Sequence, residues 1–171
     1  MNYPRHIFTS DKGKFLFTWI RDNDLEKYSP VSQVYGIVFN AKGEILIARK
    51  KPEGGWGISG GTPEAGESVE ETLRRELKEE VDVSVSKIIP LGAQKVVLFG
   101  DDEGKSTLYQ LRYIALLKEL LPQTPDPDSG FIWERQFVPA KDISDYVKWG
   151  DSGDAMFEDA IHLFKELFST T

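Results

Sequence analysis

The chain has no cysteine, and that absence removes several kinds of chemistry at once. It leaves no disulfide, no thiolate zinc site and no thiol nucleophile. Histidine is scarce as well, and neither His6 nor His162 has a partner at the spacing of a catalytic triad or a metal site. We therefore expect both histidines to be structural or surface residues.

Positive charge and long apolar runs are also in short supply. The net charge of −7 argues against a protein that holds a nucleic-acid backbone, because that function needs clustered lysine and arginine. No apolar run approaches the length that spans a bilayer, and the segment MNYPRHIFTS lacks the apolar core of a signal peptide. We expect a cytoplasmic protein that binds neither nucleic acid nor membrane.

The length and composition indicate one folded unit. A chain of 171 residues with 40% hydrophobic and 12% aromatic content can fill one core and is short for two. The sequence therefore predicts a single domain over 1–171, with a strand pair and a connector in 1–30 and the core in 31–171.

Strands and a closing helix account for most of the remaining pattern. Polar stretches rich in glycine or proline separate the apolar runs, among them a turn at 100–106 and a loop at 122–130. Strands followed by one central helix, more strands and a last helix favour an α/β fold with a mixed sheet between helices. The predicted strands are 6–9, 14–20, 33–39, 44–49, 88–99, 107–117 and 131–138, and the predicted last helix is 154–168.

The central helix is predicted from its start signal and its apolar stripe. Ser68 and Glu71 form an S-x-x-E capping box, which marks a helix N-terminus. The stripe recurs every four residues and predicts one face packed on a sheet. Its members are Val69, Leu73, Leu77 and Val81.

The same helix carries a cluster of carboxylates. Glu76, Glu79 and Glu80 stand at positions i, i+3 and i+4, so they lie within an arc of roughly 100°. Like charges this close repel unless a cation lies between them, and Mg²⁺ or Mn²⁺ suits oxygen ligands. A Glu-rich helix face is usually only solvated, but here flanking glycines and Arg75 favour a metal site.

Residues 61–83 resemble the Nudix box, G-x5-E-x7-R-E-U-x-E-E-x-G-U, in which U is an apolar residue. Asp82 stands where the family has glycine. Because aspartate tolerates positive φ less well than glycine, we expect a shifted helix end and a stability cost of about 1 kcal/mol. The matching positions are Gly61, Glu67, Arg75, Glu76, Leu77, Glu79, Glu80 and Val83.

The resemblance implies an α/β/α sandwich in which the box forms a loop, a helix and a second loop. It implies Glu76, Glu79 and Glu80 as ligands of Mg²⁺, with Mn²⁺ as a substitute. From the residues themselves we expect repulsion between these neighbours to raise the pKa of at least one of them.

Four more residues of the box and its flank take roles from the same resemblance. The resemblance implies the Gly60 carbonyl as a further metal ligand. It also implies that Arg75 orients the carboxylates, and the alternative for Arg75 is an ordinary helix ion pair. Glu67 fixes the loop or binds a second ion through water. Gly60 and Gly61 are expected to let the backbone approach a metal or phosphate closely and to adopt positive φ, with a plain tight turn as the alternative.

Outside the box, the resemblance indicates three residues and one weaker candidate. Arg49 resembles the arginine that many relatives use on substrate phosphate, with a solvated strand end as the alternative. Trp56 is a candidate for stacking on a base, although packing under the loop is the favoured interpretation. Glu134 lies near the place where relatives carry a further acid and is a candidate ligand or general base. Glu103 is the weaker candidate.

The function implied is a Mg²⁺-dependent hydrolase that cuts a pyrophosphate bond in a nucleoside diphosphate derivative by water attack. The catalytic set would be Glu76, Glu79, Arg75 and Glu134, and Arg49, Gly61 and Trp56 would contact a small-molecule nucleotide. The alternative is a nucleotide-binding or sensor module of the same fold. Isopentenyl diphosphate isomerase also shares the fold but needs a cysteine. Residues 98–101 lack the proline typical of relatives that cleave ADP-ribose and the tyrosine typical of relatives that cleave dinucleoside polyphosphates. The sequence does not decide between a monomer and a homodimer.

Overall fold

The structure is a computed structural model and describes residues 3–11, 13–99 and 105–168. Glu103 and most of the turn predicted at 100–106 lie outside these residues. None of the described helices combines the length and apolar character needed to cross a bilayer. The strands are β1 Arg5–Ser10, β2 Gly13–Arg21, β3 Val31–Phe39, β4 Glu44–Arg49, β5 Gly60–Gly61, β6 Val83–Phe99, β7 Lys105–Leu120 and β8 Glu134–Pro139. The helices are α1 Val69–Val81, α2 Ile143–Tyr146 and α3 Gly150–Phe168, with a 3-10 turn at Ala140–Asp142.

The strands form one mixed sheet, as the α/β prediction requires. Its order is β1-β2-β6-β7-β3-β4-β8, and the short β5, which leads into the box, pairs with β3. The pair β3–β7 is parallel and the other pairs are antiparallel. Because β1 and β2 extend the sheet beside β6, the N-terminal strand pair is continuous with the rest of the fold.

Helices cover both faces of the sheet, which makes the predicted α/β/α sandwich. Side chains alternate across a strand, so neighbouring residues of β3 enter different cores. Val38 packs with Leu73 and Leu77 of α1, whereas Ile37 and Phe157 of α3 share the opposite core. Leu73, Leu77 and Val81 of the predicted α1 stripe are thus buried, and Val69 is partly buried.

Some boundaries differ from the sequence prediction, and packing explains the largest differences. Strand β6 begins at Val83, with only Asp82 between it and α1. Strand β8 begins at Glu134 because the Trp133 indole N–H, in the preceding loop, donates to the Asp126 carboxylate at 3.1 Å. Helix α3 begins at Gly150 rather than at residue 154. Its first turn contains the poor helix formers Ser152 and Gly153, but both are buried there, so tertiary packing overrides propensity.

Asp82 ends α1 without shifting the helix end, so the expected displacement is wrong. The residue adopts the left-handed conformation, with φ 48° and ψ 50°, that glycine usually takes. Its carboxylate accepts hydrogen bonds from the Thr124 backbone N–H at 3.0 Å and the Thr124 hydroxyl at 2.6 Å. Its carbonyl oxygen accepts from the Leu121 N–H at 2.8 Å and from Arg135 at 2.9 Å. A glycine could not make the carboxylate contacts, and these offset the backbone strain.

We expect Asp82→Gly to lower the free energy of unfolding by about 2 kcal/mol, because two charge-assisted hydrogen bonds outweigh about 1 kcal/mol of relieved strain. Urea denaturation measures the change. Thr124→Val is the matched control, since it removes the hydroxyl contact and leaves φ of residue 82 unchanged. A glycine variant more stable than the wild type would contradict this explanation.

The connector between β2 and β3 is held by Asp22. Its carboxylate accepts from the Lys27 ammonium at 2.7 Å, the Tyr28 hydroxyl at 2.7 Å and the Asp24 N–H at 3.0 Å. These contacts lower the pKa of Asp22 to about 2, with the Lys27 contact the largest cause. The connector therefore gains stability from an ionised carboxylate.

The pKa of Asp22 is lowered in the folded state, so its contribution is present above the unfolded-state pKa and is lost as the pH falls through about 2. At neutral pH we expect Asp22→Asn to lower the unfolding free energy by about 1 kcal/mol, after allowing for solvent screening. Urea melts at pH 7 and near pH 2 should show a much smaller difference at the lower pH, where about half of the folded-state carboxylate is protonated. Equal differences at both pH values would contradict it.

Candidate active site

The box helix is fixed at its start and along one face, and this sets the direction of its carboxylates. The Ser68 hydroxyl accepts from the Glu71 N–H at 3.2 Å, and the Glu71 carboxylate accepts from the Ser68 N–H at 2.8 Å. This is the predicted capping box. With the Leu73 and Leu77 side chains buried, Glu76 and Glu80 turn towards the glycines of β5.

Gly60 and Gly61 bring the loop backbone against β3 and α1. Gly61 pairs with Val34 and Gly60 with Tyr35. A Cβ on Gly61 would lie 2.2 Å from the Glu76 carboxyl carbon, and one on Gly60 would lie 2.1 Å from the Val34 carbonyl oxygen. Gly61 lies outside the left-handed region, so the expectation of positive φ is wrong for it. Glycine is required at position 61 because any side chain there would collide with the Glu76 carboxyl group.

The Glu80 carboxylate is partly buried and lies against the Gly60 backbone. One of its oxygens accepts from the Gly60 N–H at 3.1 Å. Burial raises the pKa of Glu80 to about 8, and repulsion from Glu76 and Asp126 adds to the rise, while the Gly60 hydrogen bond opposes it. The pKa of Glu76 is also raised, first by burial. The expected rise is present, but its main cause is burial rather than repulsion.

Arg75 ties the loop to the helix through three carboxylates. Its Nε and Nη2 donate to the two oxygens of Glu67 at 2.7 and 3.0 Å. Its Nη1 donates to Glu76 at 2.8 Å and Glu79 at 3.1 Å. The guanidinium is the main cause that lowers the pKa of Glu67 to about 2. Glu67 also accepts from the Thr72 hydroxyl at 2.9 Å, so it fixes the loop geometrically.

The donor set suits a hard cation, although the described residues do not form a ready metal cluster. Among residues 3–11, 13–99 and 105–168, no three acidic or histidine side chains are arranged to hold an ion. Arg75 donates hydrogen bonds to oxygens of Glu67, Glu76 and Glu79, so these oxygens are directed at its guanidinium. Carboxylate oxygens crowded beside a glycine backbone are still the donor type that Mg²⁺ prefers. The metal and catalytic roles of these residues remain predictions.

Two acids that the sequence interpretation placed in an ordinary loop lie near the box. The charge of Asp126 raises the pKa of Glu80, and the charge of Asp128 raises that of Glu76. Asp126 is buried and accepts from the Asp128 and Ser129 N–H groups, both at 2.8 Å. These acids belong to the D-P-D-S-G run, which is typical of a turn. The run gives no indication that Asp126 and Asp128 lie near Glu80 and Glu76.

The candidates outside the box contact one another. Arg49 and Glu134 face each other across β4 and β8, and the Arg49 Nε and Nη2 donate to one Glu134 oxygen at 2.8 and 2.6 Å. The Arg49 guanidinium lies 4.5 Å from the Trp56 ring centroid. Trp56 also packs against the core that includes α3, in agreement with the favoured interpretation. Sequence alone did not indicate that Arg49 and Glu134 form a pair.

The sequence model of the NUDIX domain matches residues 30–158. The chain therefore belongs to the Nudix family, and the prediction of a Nudix-type hydrolase is confirmed at that level.

Solved structures agree on the fold. A structure from a study of MutT of Aliivibrio salmonicida and Vibrio cholerae is 26% identical, with a TM-score of 0.53 over 78% of this chain and 98% of that one. A mutant of the Bacillus subtilis pyrophosphohydrolase BsRppH is 17% identical, with a TM-score of 0.64 over 92% and 96%. MutT of Bacillus halodurans is 24% identical, with a TM-score of 0.58 over 77% and 82%. These structures confirm the mixed-sheet Nudix fold.

The Arg75 contacts lead to a stability prediction. Arg75→Met should lower the unfolding free energy by about 2 to 3 kcal/mol, because it leaves partly buried carboxylates without their cation. Glu70→Gln is the control on the same helix, where the exposed pair with Arg74 should contribute less than about 1 kcal/mol. Urea denaturation compares the two. Similar losses would show that Arg75 is only an ordinary helix ion pair.

Proposed function

We propose that the chain is a Mg²⁺-dependent hydrolase of pyrophosphate bonds in nucleoside diphosphate derivatives, either nucleoside triphosphates or diphosphates linked to another group. The observation that carries the proposal is the position of the Glu76 and Glu80 carboxylates against the backbone of Gly60 and Gly61. A phosphate chain and a cation need this combination of oxygen donors and accessible backbone. Mn²⁺ is proposed as a substitute metal.

In this proposal, Glu67, Glu76, Glu79, Glu80 and the Gly60 carbonyl hold the cation, which would neutralise phosphate charge and favour ionisation of the attacking water. Each protein group has a distinct task. The Gly60 N–H keeps the Glu80 carboxylate directed at the loop. Arg75 holds Glu76 and Glu79 in one orientation and prevents their mutual repulsion from opening the helix face.

Substrate contacts are proposed on the other side of the loop. The Arg49 cation and the Glu134 carboxylate lie side by side at the end of β4, so they offer a phosphate contact and an acid–base group together. Trp56 stacks on Arg49 and limits the motion of its guanidinium. Gly61 contributes backbone without a side chain in the way.

The setting we propose is a single domain over 1–171 that acts in the cytoplasm on a small-molecule nucleotide, without nucleic acid or membrane. The continuous sheet from β1 to β8 supports the single domain. The net charge of −7 supports a partner other than nucleic acid. A homodimer is compatible with this proposal and is not needed by it.

A nucleotide sensor is the second candidate, and one observation favours it. Arg75 already forms ion pairs with three box carboxylates, so one positive charge offsets part of their repulsion without an ion at this position. A sensor would bind a nucleotide or a metal here without turnover. The two candidates differ in whether hydrolysis accompanies binding.

The test is a hydrolysis panel of nucleoside triphosphates, nucleotide sugars, ADP-ribose and dinucleoside polyphosphates, with Mg²⁺ and with EDTA. We expect turnover only with the metal, and a fall in kcat of about 100-fold or more in Glu80→Gln. Glu70→Gln is the control on the same helix, since this exposed residue pairs only with Arg74 among the contacts of the described residues.

Thermal melts of the same variants separate enzyme from sensor. Mg²⁺ should raise the Tm of the wild type and of Glu70→Gln but not that of Glu80→Gln, because a ligand stabilises the state that binds it. A metal shift without hydrolysis of any substrate would support the sensor. Turnover that survives EDTA, or equal rates in both variants, would overturn the metal-dependent hydrolase.

A further inference from the structure

A cavity of about 310 Å³ lies between the N-terminal strands, the centre of the sheet and the start of α3. Aromatic rings of Phe17, Tyr35 and Trp149 contribute to its walls. Phe17 belongs to the N-terminal strand pair, which lies before the region matched by the family model. The volume is at the lower end for small-molecule sites, so it suits one ring system rather than a whole dinucleotide.

Arg112 is the unusual member of this cavity. Its residue is only 3% exposed, and no carboxylate among the described residues pairs with it. Its Nε is buried without a hydrogen-bond partner. Burial lowers the pKa of Arg112 to about 10, which reflects the free energy lost by removing a cation from water. A protein retains such a group where something else accepts its hydrogen bonds.

Neighbouring side chains hold the guanidinium in one orientation. Its Nη2 donates to Gln110 at 2.8 Å, and the Gln110 amide donates to Gln33 at 2.7 Å. The Tyr35 hydroxyl donates to the same Gln33 oxygen at 2.9 Å. The guanidinium carbon lies 4.3 Å from the Tyr35 ring centroid and 5.9 Å from that of Trp149. Contacts of this kind preorganise the donors for a ligand.

Tyr35 connects this cavity to the box. It pairs with Gly60, whose N–H holds Glu80. The pKa of Tyr35 is raised mainly by burial, and the charges of Arg112, Glu80 and Glu76 all act on it. Tyr35 thus belongs both to the cavity wall and to the strand segment that pairs with Gly60.

The walls and donors together select the kind of ligand. Aromatic walls suit a planar ring, which a phosphate or carboxylate ion does not need. No acidic side chain among the described residues lines the cavity, so a ligand edge rich in donors would find few acceptors. Guanine presents O6 beside N7 as two adjacent acceptors and uracil presents O4, whereas adenine and cytosine carry an amino donor at the corresponding positions, N6 and N4.

Resting on the proposed function, we infer that the cavity binds the base of the nucleotide and that Arg112 selects bases with a carbonyl oxygen, O6 of guanine or O4 of uracil, in place of the amino group of adenine and cytosine. Arg112 is then a specificity-determining residue that contacts the base and takes no part in bond cleavage. Guanine and uracil share the required chemistry, and the test distinguishes them.

The experiment measures binding of GMP, UMP, AMP and CMP by isothermal titration calorimetry, using the full chain in EDTA so that neither metal nor hydrolysis is needed. We expect the wild type to bind GMP or UMP at least about 10-fold more tightly than AMP and CMP. Arg112→Met should lose that preference. Arg21→Met, which removes an arginine outside the cavity, should keep it.

Thermal melts establish that each variant is folded, and Arg112→Lys provides a second variant that keeps the charge but loses the paired donors. Equal affinity of the wild type for all four bases, undetectable binding of each, or a preference that survives in Arg112→Met would overturn the inference. Mg²⁺-dependent hydrolysis of triphosphates without base preference would leave the proposed function standing and overturn this inference alone. Base-selective binding without hydrolysis of any substrate would support this inference and overturn the proposed hydrolase.

Discussion

The guanidinium of Arg75 is the interaction on which the candidate site depends. It contacts Glu67 in the loop and Glu76 and Glu79 on the helix, so one cation joins two segments that would otherwise repel. The loop in turn carries Gly60, whose N–H holds Glu80. Removing the Arg75 charge would leave three partly buried carboxylates without this partner. That loss costs more unfolding free energy than the loss of a surface ion pair.

Charges of both signs act on Tyr35. Its ring centroid lies 4.3 Å from the Arg112 guanidinium carbon, and the charges of Glu76 and Glu80 also act on it. In our proposal, a ligand with a cation-binding phosphate end and a hydrogen-bond-accepting ring end matches both kinds of charge. The N-terminal strand pair takes part in this match, because Phe17 and His6 line the cavity. His6, which sequence alone treated as structural or surface, therefore lies where a ligand would contact it.

The sequence predicted local features well because they depend on near neighbours. The capping box at Ser68, the buried stripe of α1 and the strand at 44–49 follow from spacing and composition. It did not predict the Arg49–Glu134 pair, which requires the register of β4 against β8. Asp82 was misjudged for the same reason, since its stabilising partner Thr124 is 42 residues away. Long-range pairing depends on the fold as a whole, and a single sequence carries little information on it.

Diffraction at the manganese absorption edge, from crystals of the full chain soaked with Mn²⁺ and a non-hydrolysable nucleotide, tests the proposed metal centre most directly. We expect an anomalous peak at about 2.0 to 2.3 Å from oxygens of Glu76 and Glu80, with the Gly60 carbonyl beside it. Arg75 should keep its contacts with Glu67 and give up at least one of those with Glu76 and Glu79. Crystals that bind the nucleotide but show no manganese peak at these carboxylates would contradict the metal-dependent hydrolase.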